Sequence, residues 1–437
     1  MSTTPHSAVA VLGVPFHNVT MDETVDFIDA KIQEGGFHQI ATANVDFLIH
    51  AIRDRRLQEI LCNCDLVIPD GMPIVWAARM LGTSLKQRVC GVDLVPRLAA
   101  LSAERGYSIY LLGASERNAA QCVENLAARF PGLRIAGRYS PPVLPLEQMD
   151  HEDILRRIER AKPDILLVAM GNPKQEKWLA MHRQRLNVPV CIGVGGSVDF
   201  VAGAVARAPR WMQNHGLEWL YRASQEPRRL AKRYIGDAVG FARYMPQQLI
   251  SSQLQPRHKT KSGLFADSTG NTKVVSIYGD LTGSLLPEFD TLTRDAVTNG
   301  MNVILNMSHV NYVGPDALGS LIHLESAMRE AHEQLWLAEP PPHLLRVLHG
   351  ARLNGLFMST SSVTDALHRT ARAEERMLHL TRYSSPMNHS GAQPVQIRVE
   401  LLQDVCQKVT AASRPPEDDR GTYTDQTHVF AFHTSLP

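Results

Sequence analysis

Apolar and polar residues keep two rhythms along the first half of the chain, and the stretch from Ile40 to Gly71 shows both. One apolar run ends in Thr42-Ala43-Asn44, an amphipathic segment follows, and a second run, Leu66-Val67-Ile68, closes in Pro69-Asp70-Gly71. Short apolar runs bounded by turn residues predict buried strands, and the longer periodic segment between them predicts a helix. The unit reads strand, polar turn, helix, strand, polar turn, so both turns fall at one edge of a parallel sheet. Ligands bind at that carboxyl edge, and here it offers a hydroxyl, an amide and a carboxylate.

The same alternation continues on either side. Residues 8 to 14 read as a short strand, and Thr20-x-x-Glu23 is a capping box opening a helix to about Glu34. Strands are expected at Tyr107–Leu112, Leu133–Tyr139, Ile165–Met170 and Val188–Val194, with helices between them. Such a pattern predicts a right-handed parallel α/β sheet with helices on both faces. Residues 251–272 are polar and turn-rich and read as a linker. A second α/β pattern then runs over 273–372, with a strand at Asn302–Asn306, a turn, and a helix at Asp316–Ala331. The tail, 373–437, reads as mostly mobile apart from one amphipathic run at Val395–Val409.

Three predicted strands end in glycine turns that bear Gly113 and Ser115, Gly171 and Asn172, and Gly195 and Gly196. Glycine lets backbone amides approach a ligand, and a helix N-terminus adds about half a positive charge, so these turns suit a diphosphate. None is a complete dinucleotide fingerprint or P-loop, which argues against a nicotinamide-type oxidoreductase. Each turn taken singly is more often an ordinary strand-to-helix connection, but three on one edge, beside the Thr42/Asn44 and Asp70 turns, favour a nucleotide-type pocket.

Composition sharpens this in one region. The chain of 437 residues carries a formal charge of only +1, which excludes a general polyanion binder. Residues 207–261, however, hold eleven basic against three acidic side chains, interleaved with Trp211, Trp219, Tyr221, Tyr234, Phe241 and Tyr244. Leu230, Tyr234, Ala238, Phe241, Met245 and Leu249 recur at helical spacing, with Pro246 expected to end or kink the last turn. Residues 207–250 thus form a basic amphipathic appendage, suited to an anionic membrane surface or to delivering arginines to a phosphate, or simply packed on its domain. No nucleic-acid motif accompanies the charge. The six cysteines lack disulfide or zinc spacing, Cys62 and Cys64 reading as a buried pair, which suggests a reducing compartment. The start MSTTPHSAVAV lacks a signal peptide's features, and no stretch reaches the ~18 unbroken apolar residues of a membrane span. A cytoplasmic protein is expected.

Several motifs carry a resemblance. ATANVDFL, DLVIPDGMPIVW, QRVCGVDL, YLLGAS, LLVAMGNPKQEKW, GVGGSVDFVAG and RAPRWMQNHGLEWLYRASQEPRRLAKRY, spread over residues 8 to 245, resemble the WecG/TagA/CpsF glycosyltransferases, glycosyltransferase family 26. The resemblance implies a Rossmann-like transferase domain over 1–206. It further implies an inverting enzyme, peripheral on the inner face of the plasma membrane. Such an enzyme moves an N-acetylmannosamine-type or other hexosyl unit from a UDP-sugar to a polyprenyl-diphosphate-linked sugar during cell-surface or exopolysaccharide assembly. Thr42 and Asn44 match the family's Thr-x-Asn pair and Asp70 its general base, while Arg88 and Gln175 match polar pocket residues. Arg222, Arg229 and Arg233 become candidates to stabilise the leaving diphosphate, and Asp93 and Glu218 to cap a helix and order arginines. The glycine turns complete the expected substrate site.

The chemistry is coherent with these residue types. Inversion needs a base on the acceptor hydroxyl opposite the leaving group, and a carboxylate serves. Amides, helix N-termini and arginines can neutralise the departing diphosphate without a metal or other cofactor. No Asp-x-Asp occurs in the first domain. Residues 303–319 resemble the STAS fold of anti-sigma-factor antagonists and sulfate-transporter tails, with Asp316 standing where phosphorylated members carry serine. That substitution removes the phospho-acceptor and leaves a module for a protein partner or self-association. The alternative to an enzyme is a nucleotide-sugar-sensing regulator that signals through this module.

Overall fold

The computed structural model describes residues 7–225, 227–256 and 261–384, and these form two compact units, one ending at Ile250 and the next opening at Ser251. The Val395–Val409 run lies outside the described residues. The first unit begins not with one strand but with a hairpin, β1 (Ala8–Val11) and β2 (Val14–His17). Leu12 and Gly13 both take positive φ, the backbone of a two-residue hairpin turn, and so split the apolar run at residues 8 to 14.

From there the chain alternates. Helix α1 (Met21–Glu34) starts at the Thr20/Glu23 capping box, with both reciprocal hydrogen bonds formed. Strand β3 (His38–Ala43) leads into α2 (Val45–Arg53) and α3 (Arg55–Cys62). The single helix expected here is broken at Asp54, whose carboxylate accepts from the Leu57 amide and caps α3. Then follow β4 (Leu66–Pro69), α4 (Met72–Met80), α5 (Gly91–Arg105), β5 (Ser108–Gly113), α6 (Glu116–Arg129), β6 (Arg134–Tyr139) and α7 (His151–Ala161). The core closes with β7 (Ile165–Ala169), α8 (Lys174–Met181), β8 (Val190–Gly193) and α9 (Ser197–Val201). The six long strands form one parallel sheet in the order β4-β3-β8-β7-β5-β6.

Strand alternation sorts its side chains onto two faces. Ile40, Leu66, Ile68, Val190 and Ile192 pack with α1, α5 and α6. Ala41, Ala43 and Val67 pack with β1, β2, α2, α3 and α4 on the other face. Full burial of each such Ile or Leu contributes roughly 1.5–3 kcal/mol, so a register slip of one residue would forfeit many of them together.

The basic segment folds as α10 (Arg210–Asn214), α11 (Glu218–Gln225) and α12 (Pro227–Gln253). Pro246 neither ends nor caps α12, which runs on past it. Its C-terminal half is anchored: Phe241, Tyr244, Met245 and Leu249 join the core, and Gln248 both accepts from the Leu12 amide (2.8 Å) and donates to the Ala10 carbonyl (2.9 Å). Packing holds the helix through the position where proline removes one backbone donor. The N-terminal half presents Ile235 and Val239, each 64% exposed, among basic residues.

In the second unit β9 (Gly263–Thr269) pairs antiparallel with β10 (Thr272–Leu281). The expected linker therefore holds an edge strand and the end of α12; the turn at Gly270, φ +57, is the signal its polar composition concealed. Then come α13 (Leu286–Thr298), β11 (Asn302–Val313), α14 (Pro315–Glu330), β12 (Leu335–Ala338), α15 (Pro342–Gly350), β13 (Met358–Thr360) and α16 (Val363–Ser384). The sheet order is β13-β12-β11-β10-β9. Strand β11 does not turn after Asn306 but continues, with register shifts, beside β10 to Val313. Helix α16 occupies the start of the stretch expected to be mobile.

Candidate active site

Strands β3 and β4 are paired with Ala43 opposite Pro69, and the Asp70 amide donates to the Ala43 carbonyl at 2.9 Å. Asn44 and Asp70 therefore leave the sheet side by side. Alternation puts Thr42 and Asn44 on the face of Ile40, and Asp70 on that of Leu66 and Ile68, which is one and the same face. Gly71, at φ +155, has room beside Asn44, since a Cβ there would sit 3.9 Å from the Asn44 Cβ. Thr42 is only 4% exposed, and its hydroxyl donates to the Gly193 carbonyl at 2.8 Å, tying β3 to the end of β8. Asn44 accepts from the Asp46 amide at 3.1 Å and caps α2. Both expected site residues thus also fix the strand ends beside Asp70.

Charge is concentrated there. Burial pushes the Asp70 carboxyl up to about 7; Glu218 and Asp93 push the same way, and Arg88 and Arg222 oppose them. Arg88 donates to Glu218 at 2.9 Å, while Arg207 grips Asp93 with both terminal nitrogens and lies 3.7 Å from Glu218. Burial acts against ionisation of Asp93, but the Arg207 and Cys90 hydrogen bonds outweigh it and hold its carboxyl below the usual range. Three carboxylates thus face three guanidinium groups. Glu218 and Asp93 order Arg88 and Arg207, and Arg222 is left with a buried Nε that has no partner. Arg222 lies over the Phe200 ring at 5.0 Å, and its Nη2 is 3.6 Å from where a Cβ on Gly196 would stand. A groove of about 670 Å³ opens alongside, lined by Arg88, Asp93, Arg207, Pro96, Phe200 and Val205 among others.

Several amides of the glycine turns are engaged within the fold. The Gly171 amide donates to the Gln175 side chain at 3.1 Å, the Gly195 amide to Val168 at 3.4 Å, and the Ala114 amide to Ala169 at 2.9 Å. Those donors are already spent within the fold. A Cβ on Gly113 would strike the Ala169 carbonyl at 2.5 Å, so this glycine permits a close strand end, and Ser115 caps α6. Asn172 donates to Asp46 at 3.0 Å. Gln175, 1% exposed, lies against Gly193 on the side away from Thr42 and braces the strand ends from behind. Arg233 is exposed and lies 5.1 Å over the Tyr234 ring, and the Arg229 side chain lies outside the described residues. Arg207, Cys90, Asp46 and Glu176 were missed as site neighbours although they lie within the recognised motifs; Arg207 and Asp46 pair with residues more than a hundred positions away, while Cys90 and Glu176 bond near neighbours and only their burial marks them. Among the described residues no group of three or more His, Cys, Asp or Glu side chains is arranged for a metal ion, and no helix is long and apolar enough to cross a membrane.

Residues 9–255 match the sequence profile of the Glycosyl transferase WecG/TagA/CpsF family, and residues 264–360 match that of the MlaB-type STAS domain. Among curated proteins, an N-acetylglucosaminyldiphosphoundecaprenol N-acetyl-beta-D-mannosaminyltransferase of Bacillus subtilis (strain 168) is 31% identical over 215 residues, 49% of this chain and 82% of that protein. The protein of the same description from Staphylococcus aureus (strain MRSA252) is 30% identical over 226 residues, 51% of this chain and 87% of that one. An anti-sigma factor antagonist from Mycobacterium paratuberculosis, at 16% identity, covers 26% of this chain and 97% of its own with a TM-score of 0.24. That score is too low to argue from, and the second unit's assignment rests on the sequence profile.

Proposed function

Because the chain belongs to the WecG/TagA/CpsF family of glycosyl transferases, we propose that it moves a hexosyl or N-acetylmannosamine-type unit from a UDP-sugar to a polyprenyl-diphosphate-linked sugar, with inversion and without a metal. The observation that carries this reading is the shared strand edge at which Asp70 emerges beside Asn44, with Arg88 and Arg222 acting on its carboxyl, which burial pushes up to about 7. A carboxylate of that basicity holds little proton at slightly alkaline pH yet can take one as a bond forms. The acceptor hydroxyl attacks the anomeric carbon and passes its proton to Asp70. The bond from that carbon to the UDP oxygen breaks, and its electron pair leaves with the diphosphate. Arg222, with its unpartnered Nε, and Arg88, which exchanges Glu218 for the diphosphate, stabilise that charge.

The named relatives support the lipid-linked acceptor. Exposed Trp211, Trp219, Leu220, Ile235 and Val239 among the arginines and lysines support a seat on the inner face of the plasma membrane. In the STAS-like unit Asp316 is the second residue of α14 and accepts from the Ala317 amide at 3.0 Å, a fixed charge that suits a partner protein or a second copy rather than a phosphorylation switch. The test is a panel of UDP-sugars with a polyprenyl-diphosphate-GlcNAc analogue, with and without chelator. UDP release that chelator leaves intact is expected; a silent panel would favour the nucleotide-sugar-sensing regulator.

A further inference from the structure

Behind the crevice, on the α8 side of β8, lies a carboxyl group that the mechanism above does not use. Glu176 is 1% exposed. Its Oε1 accepts from Gln175 Nε2 at 2.8 Å, and its Oε2 is buried with no partner. The pair fills the space that a side chain at Gly193 would occupy, since a Cβ there would lie 2.5 Å from Gln175 Nε2 and 2.6 Å from Glu176 Oε1. Gln175 in turn accepts from the Gly171 amide, and Gly193 accepts the Thr42 hydroxyl. One carboxyl group thus stands behind both the turn after β7 and the turn after β8.

We propose that Glu176 is a positioning residue whose carboxyl group holds the Gln175 carboxamide against the bare α-carbon of Gly193 and so keeps the turns after β7 and β8 in place. The physical ground is its surroundings. An ionised carboxylate there would carry one unpaired oxygen out of water, which is unfavourable unless water is drawn in. The titratable groups facing it are Asp46 of α2 and Cys64 before β4, and Asp237 of α12 faces Asp46 in its turn. Asp46 disfavours a second negative charge, and the Cys64 thiol is itself pushed well up by burial. Burial, with a smaller push from Asp46, raises the Glu176 carboxyl to about 8, against the pull of the hydrogen bonds from Gln175 and from its own backbone amide. Below that pH the brace is neutral; above it the carboxylate draws in water, Gln175 turns, and the Gly171 amide and Gly193 are released.

The catalytic consequence rests on the glycosyl-transfer reading, but the brace itself does not. The side-chain amide NMR signals of Gln175 in the full chain, followed from about pH 6 to about pH 10, are expected to shift with a midpoint near 8 and to become pH-independent in Glu176→Gln. UDP release should show a falling alkaline limb with the same midpoint, absent in Glu176→Gln, whereas Glu176→Leu, which offers Gln175 no acceptor, should lower turnover about tenfold or more at every pH. Gln175 signals that stay still over this range, or that titrate unchanged in Glu176→Gln, would overturn the proposal. An absence of UDP release at any pH would instead count against glycosyl transfer, with the NMR result still deciding the role of Glu176.

Discussion

Replacing Asp70 by asparagine removes the ionisable group while keeping its shape, and two opposite effects should follow from its burial. A general base in place is worth about 10²- to 10⁴-fold, or roughly 3–5 kcal/mol of barrier, so turnover should fall by that factor. UDP affinity should change little, because the proposed mechanism gives the diphosphate to Arg88 and Arg222 rather than to Asp70. In the native protein turnover should rise about tenfold per pH unit below 7 as Asp70 ionises, and the variant should lose this slope. Stability moves the other way. The carboxyl goes from 3.8 unfolded to about 7 folded, so its contribution is fully present below about pH 4 and is lost as pH rises to 7. Three units correspond to roughly 4 kcal/mol, and water entering the crevice reduces this to on the order of 1–3 kcal/mol. Asp70→Asn should therefore melt some 2–10 °C higher at about pH 8 and gain nothing at about pH 4. Steady-state UDP release and calorimetry at both pH values check this. Near-normal turnover would remove Asp70 as the base, and equal melting at both pH values would show that its carboxyl is not held up by burial.

Three further substitutions probe the surroundings. Gly193→Ala places a methyl group 2.5 Å from Gln175 Nε2, so it should displace the brace, cost about 1–3 kcal/mol in denaturant unfolding and lower turnover. Arg222→Ala should cut turnover by about 10²-fold through loss of a half-buried cation at the leaving group while leaving the melting temperature within a few degrees, since its Nε makes no hydrogen bond to lose. Gln248→Leu strands the Leu12 amide and the Ala10 carbonyl, which should cost about 2–4 kcal/mol and make α12 sensitive to limited proteolysis; unchanged cleavage would mean that the apolar stripe alone secures the helix.

Local chemistry was enough for much of this. The period-2 runs at Ile40 and Leu66, the capping box at Thr20 and the glycines after β5, β7 and β8 act over a few residues, and the expected parallel α/β sheet with its carboxyl-edge residues Thr42, Asn44 and Asp70 follows from them. Polar composition misled where a short strand has only one covered neighbour, as in β9, and where an internal turn hides in an apolar run, as at Leu12-Gly13. Family motifs named Arg88, Gln175 and Arg222, but not what each touches. That depends on partners more than a hundred residues away: Glu218 for Arg88 and Asp93 for Arg207. Whether a glycine turn offers its amides or spends them, and whether a carboxyl such as Glu176 carries its charge, is set by what packs above it. A linear pattern records which groups a residue has, while burial and long-range pairing, which exist only after the chain has closed on itself, determine which of them remain available.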